Sequence, residues 1–370
     1  VIMVDCGSTS NEAIDYLNKH NIKSIIIDHH EINKPYPKAN TIINPKKDNG
    51  YLEYDYLCAA SLTYFFIQML SKKVKCKINL EKYLIYVLLA TVCDVMPLRK
   101  LNRLISIIAL REFKITEDQV FSKLYELTNK KNKININDLG YFIGPILNAG
   151  GRLGKSEFAT ELLSTNDQKV ISKNSLELIN LNNKRKKIES LILDDVDFKI
   201  LENNGSQIII YYNPNINEGL IGIIAARLKD YFNKPSIVIT NSNKILKASA
   251  RSIYSYNIGR VIKKSLDKSL ILNGGGHSMA AGFSLKKENL FRFKKFVNED
   301  FLKMKIHTDN SFSYDTEVSS TVFNKKFYSD FEKIGPFGNG NPLPIFFLKD
   351  LKVIKLSILN QKHISCILKS

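Results

Sequence analysis

The sequence predicts an α/β protein of two or three domains, and three observations predict it. First, an apolar run (Val1 to Val4), a helix-periodic stretch (Asn11 to His20) and a second apolar run (Lys23 to Ile27) follow in quick succession. Strand, helix, strand at this spacing is a βαβ unit, whose crossover makes the two strands parallel. Second, Gln168 to about Lys199 keeps helical periodicity with neither Gly nor Pro. Third, strands and helices alternate again from Ile208 onward, so a second α/β domain follows the long helix. A chain of 370 residues can bury a separate core in each of two or three domains.

In the first domain, Val1 to Val4 reads as a buried strand. The helix Asn11 to His20 carries Ala13, Ile14 and Leu17 on one face, with Ser10 as its candidate cap. Lys23 to Ile27 reads as the next buried strand and runs directly into Asp28-His29-His30. Parallel strands end on one edge of their sheet, so Asp5 and this triplet should face one crevice, where open α/β sheets bind ligands. An aspartate beside two imidazoles suits a divalent cation; the alternative is a solvated polar turn. Leu80 to Cys93 is apolar almost all round, as a buried helix is. It ends at Asp94, and Pro97 prevents its continuation. A buried carboxylate there needs a partner, either a cation shared with the triplet or a salt bridge to Arg99 or Arg103.

In the long helical stretch, Leu176, Ile179, Ile188, Leu191 and Ile192 stand among the apolar positions, with Lys184-Arg185-Lys186-Lys187 midway. Such a run on a long helix reads as a solvated face. Strands follow at Ile208 to Tyr212, Ile237 to Thr240 and Leu246 to Ala250, with a helix over Gly219 to Arg227 opened by glycine. Gly274-Gly275-Gly276 reads as a turn or as backbone that can approach an anion closely. After His307 a turn-rich stretch, Gly335 to Pro342, leads into alternating strands from Ile345.

The formal charge of +18 favours a polyanionic partner, nucleic acid before membrane surface, although a chain rich in Lys, Asn and Ile could acquire it by compositional drift. No apolar run approaches the roughly 20 residues of a membrane helix. Five cysteines, none in C-x-x-C spacing, point to reduced thiols and a cytoplasmic protein without disulfides or a zinc finger. Cys6 and Cys93 read as core-packing thiols. Both ends read as cut within a strand, so the chain is expected to be a fragment.

Several segments together resemble the RecJ family of single-strand-specific exonucleases, within the DHH phosphoesterase superfamily. They are Val4-Asp5-Cys6-Gly7, Asp28-His29-His30, Ala90 to Leu98 with Asp94, and Gly144-Pro145-Ile146-Leu147-Asn148-Ala149-Gly150-Gly151-Arg152. Gly275-Gly276-His277 with Ala280-Ala281-Gly282, and Pro336-Phe337-Gly338 with Gly340-Asn341-Pro342, complete the set. The resemblance implies a DHH domain over 1–167, a connecting helix over 168–199, a DHH-associated nucleic-acid-binding domain over 200–306 and the start of an OB-fold barrel over 307–370. It implies two metal ions, Mn²⁺ or Mg²⁺, with Asp5 bridging them and His29 and Asp94 completing one. His30 would contact the scissile phosphate and Asp28 would orient its neighbours. Arg152, Arg251, Gly275, Gly276 and His277 would hold the strand or its terminal phosphate. The activity implied is 5′-to-3′ hydrolysis of single-stranded DNA in recombination and repair by a monomer, with a helicase or single-strand-binding protein as candidate partners. Two alternatives remain: a phosphodiesterase of short oligonucleotides or cyclic dinucleotides, and a non-catalytic DNA-binding relative. The family's D-x-D-type first motif is expected upstream of Val1, which would leave this chain by itself feeble. Ile146 stands where the family usually has arginine, leaving Arg152 as the phosphate contact of that segment.

Overall fold

The computed structural model describes residues 1–49, 51–203, 206–304, 313–359 and 363–369. The chain forms two compact units. Val1–Asp118, Lys131–Gly144 and Ser311–Ser370 make the first, and Gln119–Lys130 with Pro145–Asn310 make the second.

The first unit holds three parallel strands, β1 (Ile2–Val4), β2 (Ile25–Ile27) and β3 (Thr41–Ile43), with β2 in the centre. Their register sets Val4 beside Ile27 and Ile27 beside Ile43. Asp5, Asp28 and Asn44 therefore leave the sheet at one level. Burial concentrates in β2; in β1, which was expected to be buried, Ile2 and Val4 are exposed. The helix Asn11–Lys19 buries Ile14, while Ala13 is exposed and Ser10 makes no side-chain capping bond. The helix Leu84–Cys93 is buried along most of its length, as its composition requires, and packs beside Ala59–Lys73 and Lys100–Glu112. Its expected first residues form a separate 3₁₀ turn, Glu81–Tyr83.

The second unit is built on β4 (Ile209–Tyr212), β5 (Ser236–Ser242), β6 (Ile245–Arg251), β7 (Asn273–Gly276) and β8 (Ala280–Leu285), in the order β4-β5-β6-β8-β7. Only β4 and β5 pair in parallel. Alternation along β5 sends Ile237 and Ile239 into one core and Val238 into the other, so both faces are covered. The glycine triplet is an edge strand. A Cβ on Gly276 would lie 2.4 Å from the Ala280 carbonyl, and one on Gly274 would lie 2.6 Å from Phe283 Cβ. Close packing of the hairpin therefore demands glycine at these two positions.

The long helix is Gln168–Asp194, capped by Asp167, whose carboxylate accepts from the Lys169 N–H at 2.8 Å. Its buried stripe runs through Ile171, Asn174, Leu178, Leu181, Arg185 and Glu189, whereas Leu176 and Leu191 are exposed. Ile179, Ile188 and Ile192 are half-buried, the last two packed against the second unit's core. Polar members hide the true stripe, and they are buried because they pair: Asn174 donates to Glu161 and Arg185 to Glu189.

In the first unit's C-terminal segment, β9 (Thr316–Glu317) pairs in parallel with β10 (Phe346–Phe347), and β11 (Lys352–Leu359) forms a hairpin with β12 (His363–Lys369). No closed barrel is present among the described residues. The boundary expected at 306/307 lies outside the described residues. No described helix is long and apolar enough to cross a membrane.

Leu88 is fully buried in the helix that ends at Asp94. Leu88→Ala is expected to lower the stability of the first unit by about 3 kcal/mol through lost burial and a residual cavity, measured by urea unfolding.

Candidate metal centre and anion site

Asp28 organises the triplet from beneath. Its side chain is buried, and one oxygen accepts from the backbone N–H of His29 at 2.8 Å and from His30 Nδ1 at 2.7 Å, with the His30 N–H at 3.3 Å. The other accepts the Ser8 N–H at 3.0 Å. Burial alone would raise its pKa, but the bonds from Ser8 and His30 outweigh that and hold it down at about 2. Asp28 is therefore ionised and fixes His30 with a proton on Nδ1, leaving the exposed side of that ring for a ligand. Asn44, after β3, donates to Ser8 Oγ at 2.8 Å and to the His30 carbonyl at 2.9 Å. Sequence reasoning missed Ser8 and Asn44. The signal for Asn44 was an apolar run, Thr41 to Ile43, stopped by Asn-Pro.

His29 points to a different neighbourhood. Its Nε2 is buried, 3.4 Å from Asp5 Oδ1 and 3.2 Å from Asp94 Oδ2, yet it has no partner of hydrogen-bonding geometry. Burial opposes its charged form, but the two facing carboxylates prevail and push its pKa up to about 9. A buried ring nitrogen between two half-exposed carboxylates, without an aligned hydrogen bond, is a donor set for a cation. Ligand-capable atoms of Asp5, His29 and His30 all lie within 4.8 Å of one another. The structure thus brings together all five predicted residues of the first unit. The alternative partners of Asp94 are engaged elsewhere: Arg99 pairs with Asp55 at 3.1 Å, and Arg103 donates to the carbonyls of Ile334 and Gly335.

The turn that presents Asp94 is strained. The Val95 N–H returns to the Val92 carbonyl at 3.1 Å and the Met96 N–H to Thr91 at 3.0 Å, the paired bonds that close a helix through a left-handed residue. That residue is Val95, with φ of +56°, where glycine is usual and a β-branched side chain is an outlier. Cys6 and Cys93, expected in the core, are both exposed, although the Cys93 sulfur packs where a Cβ on Gly144 would stand. Burial and then Asp94 raise the Cys93 pKa to about 11, which keeps it a neutral thiol.

In the second unit, the charge of Arg152 is felt at Arg251. Burial lowers both pKa values, followed by the charge of Arg185 for Arg152 and of Arg152 for Arg251. Arg152 donates to the Gly219 carbonyl at 3.2 Å, and Arg251 to Ser249 Oγ at 3.1 Å and the Ala250 carbonyl at 2.8 Å. Among the described residues neither makes an ion pair. Glu189 instead binds Arg185 and Arg227, each at 2.7 Å. Arg251 is paired with Ala280 at the end of β6, and the Ser252 N–H bonds the Met279 carbonyl. The exposed turn with His277 therefore sits at the same end of the sheet as Arg251. No neighbouring atom requires glycine at Gly275. Ile146 is only 3% exposed, a core residue rather than a surface contact. The helix expected to open on glycine is capped by Asn217; Gly219 is needed because a Cβ there would meet the Arg152 carbonyl at 2.1 Å.

Comparison with known proteins gives these groups a context. The DHH family, N-terminal domain, matches residues 1–91, the DHHA1 domain 205–303 and the RecJ OB domain 314–370. Single-stranded-DNA-specific exonuclease RecJ of Haemophilus influenzae is 29% identical over 94% of this chain and 64% of its own length. RecJ of Bacillus subtilis is 27% identical over 93% of this chain and 44% of its own. The chain thus spans less than two thirds of either relative. The crystal structure of RecJ in complex with Mn²⁺ from Thermus thermophilus matches with a TM-score of 0.86 at 23% identity, covering 99% of this chain and 54% of that one. A structure of exonuclease RecJ bound to manganese matches at 0.65 and 24% identity, over 82% of this chain and 75% of that one. At these identities the structural likeness establishes the fold.

Two pH windows follow from the site. The folded pKa of Asp28, about 2, lies below its ordinary 3.8, so its stabilisation is present above pH 3.8 and lost as pH falls through about 2. That of His29, about 9, lies above 6.5, so its contribution in the metal-free chain is full below pH 6.5 and lost as pH rises through about 9. In urea unfolding, Asp28→Asn should lower stability at neutral pH by about 2 kcal/mol, because an amide cannot accept all these donors. His29→Gln should flatten the decline between pH 6.5 and 9. An unaltered Asp28→Asn chain would mean that the triplet is merely a solvated turn.

Proposed function

We propose, from the premise that this chain is a homologue of the RecJ exonucleases carrying DHH, DHHA1 and RecJ OB domains in that order, that it supplies the catalytic body of a divalent-metal-dependent exonuclease acting on single-stranded DNA. The observation that carries this reading is the buried Nε2 of His29, held between Asp5 and Asp94 without an aligned hydrogen bond.

His29, Asp5 and Asp94 would hold Mn²⁺ or Mg²⁺, with Asp5 facing a second ion. Such ions lower the pKa of a water nucleophile and stabilise charge building on phosphate oxygens. His29 must give up its proton to act as a ligand, so binding is expected to strengthen as pH rises toward 9. Asp28 holds His30 in one orientation through Nδ1, which leaves the outer ring nitrogen to contact a phosphate oxygen. Arg152 and Arg251, half-buried and without carboxylate partners among the described residues, would bind a phosphate of the strand, with His277 and the backbone of Gly275 and Gly276 at the same sheet end. Polarity from the 5′ end, a role in recombination and repair, a cytoplasmic setting and action as a monomer belong to the same reading. The RecJ OB match over 314–370 favours long strands over dinucleotides.

In the full-length protein with Mn²⁺, His29→Ala and Asp94→Ala are each expected to reduce digestion of labelled single strands by at least about a hundredfold. Arg251→Ala should raise KM by about tenfold with a smaller change in kcat. Undiminished digestion by both ligand variants would refute the assignment of the centre, and preferential cleavage of dinucleotides would favour the small-substrate alternative.

A further inference from the structure

The segment from Ile334 to Asn341, far from Asp94 in sequence, is fastened to the turn that presents it. The Asn339 side chain donates from Nδ2 to the carbonyl of Val95, and the Asn339 backbone carbonyl accepts the Leu98 N–H at 2.6 Å. One residue thus grips both ends of the turn between Asp94 and the next helix. The glycines on either side permit this approach: a Cβ on Gly338 would lie 2.7 Å from Leu98 Cδ1, and one on Gly340 would lie 2.8 Å from Pro97 Cβ. The segment is itself braced. Asn341 donates to the carbonyls of Ile334 and Pro336, and Arg103 reaches the carbonyls of Ile334 and Gly335 at 2.8 and 2.9 Å.

What the grip holds is the unfavourable backbone of Val95. Val95 is 66% exposed, so packing of its side chain cannot be what maintains a positive φ. A bond to its carbonyl can, because it fixes the peptide plane that follows. We propose that Asn339 is a positioning residue of the metal centre, holding Val95 left-handed so that the Asp94 carboxylate stays turned toward His29. The inference rests on the metal-centre reading above. It assigns the Pro336-Phe337-Gly338-Asn339-Gly340-Asn341-Pro342 segment a part in cation binding besides its place beside β10.

The test is Mn²⁺ titration of the DNA-free full-length protein, read as loss of the free-ion paramagnetic resonance signal, with the thermal midpoint measured in parallel. Asn339→Asp keeps the shape and removes the donor; Asn339→Ala keeps the test open if the new carboxylate disturbs folding. Mn²⁺ affinity is expected to fall about tenfold or more, in the range typical of residues that orient ligands, with little change in the midpoint. Val95→Gly, added to Asn339→Ala, should restore most of that affinity, because glycine adopts the left-handed conformation unaided. Unchanged affinity in both Asn339 variants, or no recovery with Val95→Gly, would overturn the positioning role. Failure of the unmutated protein to bind Mn²⁺ would instead overturn the metal-centre reading, and this inference with it.

Discussion

The buried Asp28 carboxylate is the constraint on which the candidate centre depends. It sits where the central strand of a parallel sheet runs out, in a place too dry for an unpaired charge. Donors from Ser8, His29 and His30 converge on it, and together they keep it ionised. The same bonds divide the labour between the two histidines. His30 is tied back through Nδ1, while the His29 side chain is carried to the other side, toward Asp5 and Asp94. Two adjacent imidazoles thereby acquire different environments from a single anion, which no pairwise salt bridge could achieve.

Around that anchor the backbone accepts conformations that a stable loop would avoid. Asp5 has φ of +61° and Val95 +56°, and each directly adjoins or belongs to the set that faces His29. For valine the cost is on the order of 1–3 kcal/mol, and a glycine would have avoided it. Strain of this kind persists only where neighbouring structure over-determines it. Here the bonds to Val92 and Thr91 on one side and Asn339 on the other provide that restraint.

The second unit manages charge differently. The buried Glu189 is shared by Arg185 and Arg227, so the basic run Lys184 to Lys187 is split between a structural arginine and exposed lysines. Arg152 and Arg251 receive no such partner among the described residues and are held by carbonyl and hydroxyl oxygens. Burial and a neighbouring guanidinium disfavour the charged form of each, Arg185 for Arg152 and Arg152 for Arg251, and an anion beside either would offset that. That is a property of the site rather than of the net charge of +18.

The sequence by itself determined the βαβ start, the buried helix before Asp94, the long helix and three strands of the second sheet, and it singled out Asp5, Asp28, His29, His30 and Asp94 as candidates. Each is local: a period, a composition or a strand end states it without reference to the rest of the chain. Tertiary structure decided what depends on a neighbour. The buried stripe of the long helix admits polar residues because partners satisfy them, Glu161 and Arg227 on other elements and Glu189 on the helix itself. The glycine triplet became a strand because β8 packs against it. Asn44 and Asn339 acquired roles only when folding brought them to His30 and Val95. Hydrogen bonds between residues more than two hundred positions apart leave no period in a sequence, so contacts of that kind, unlike strands and helices, were decided by the fold alone.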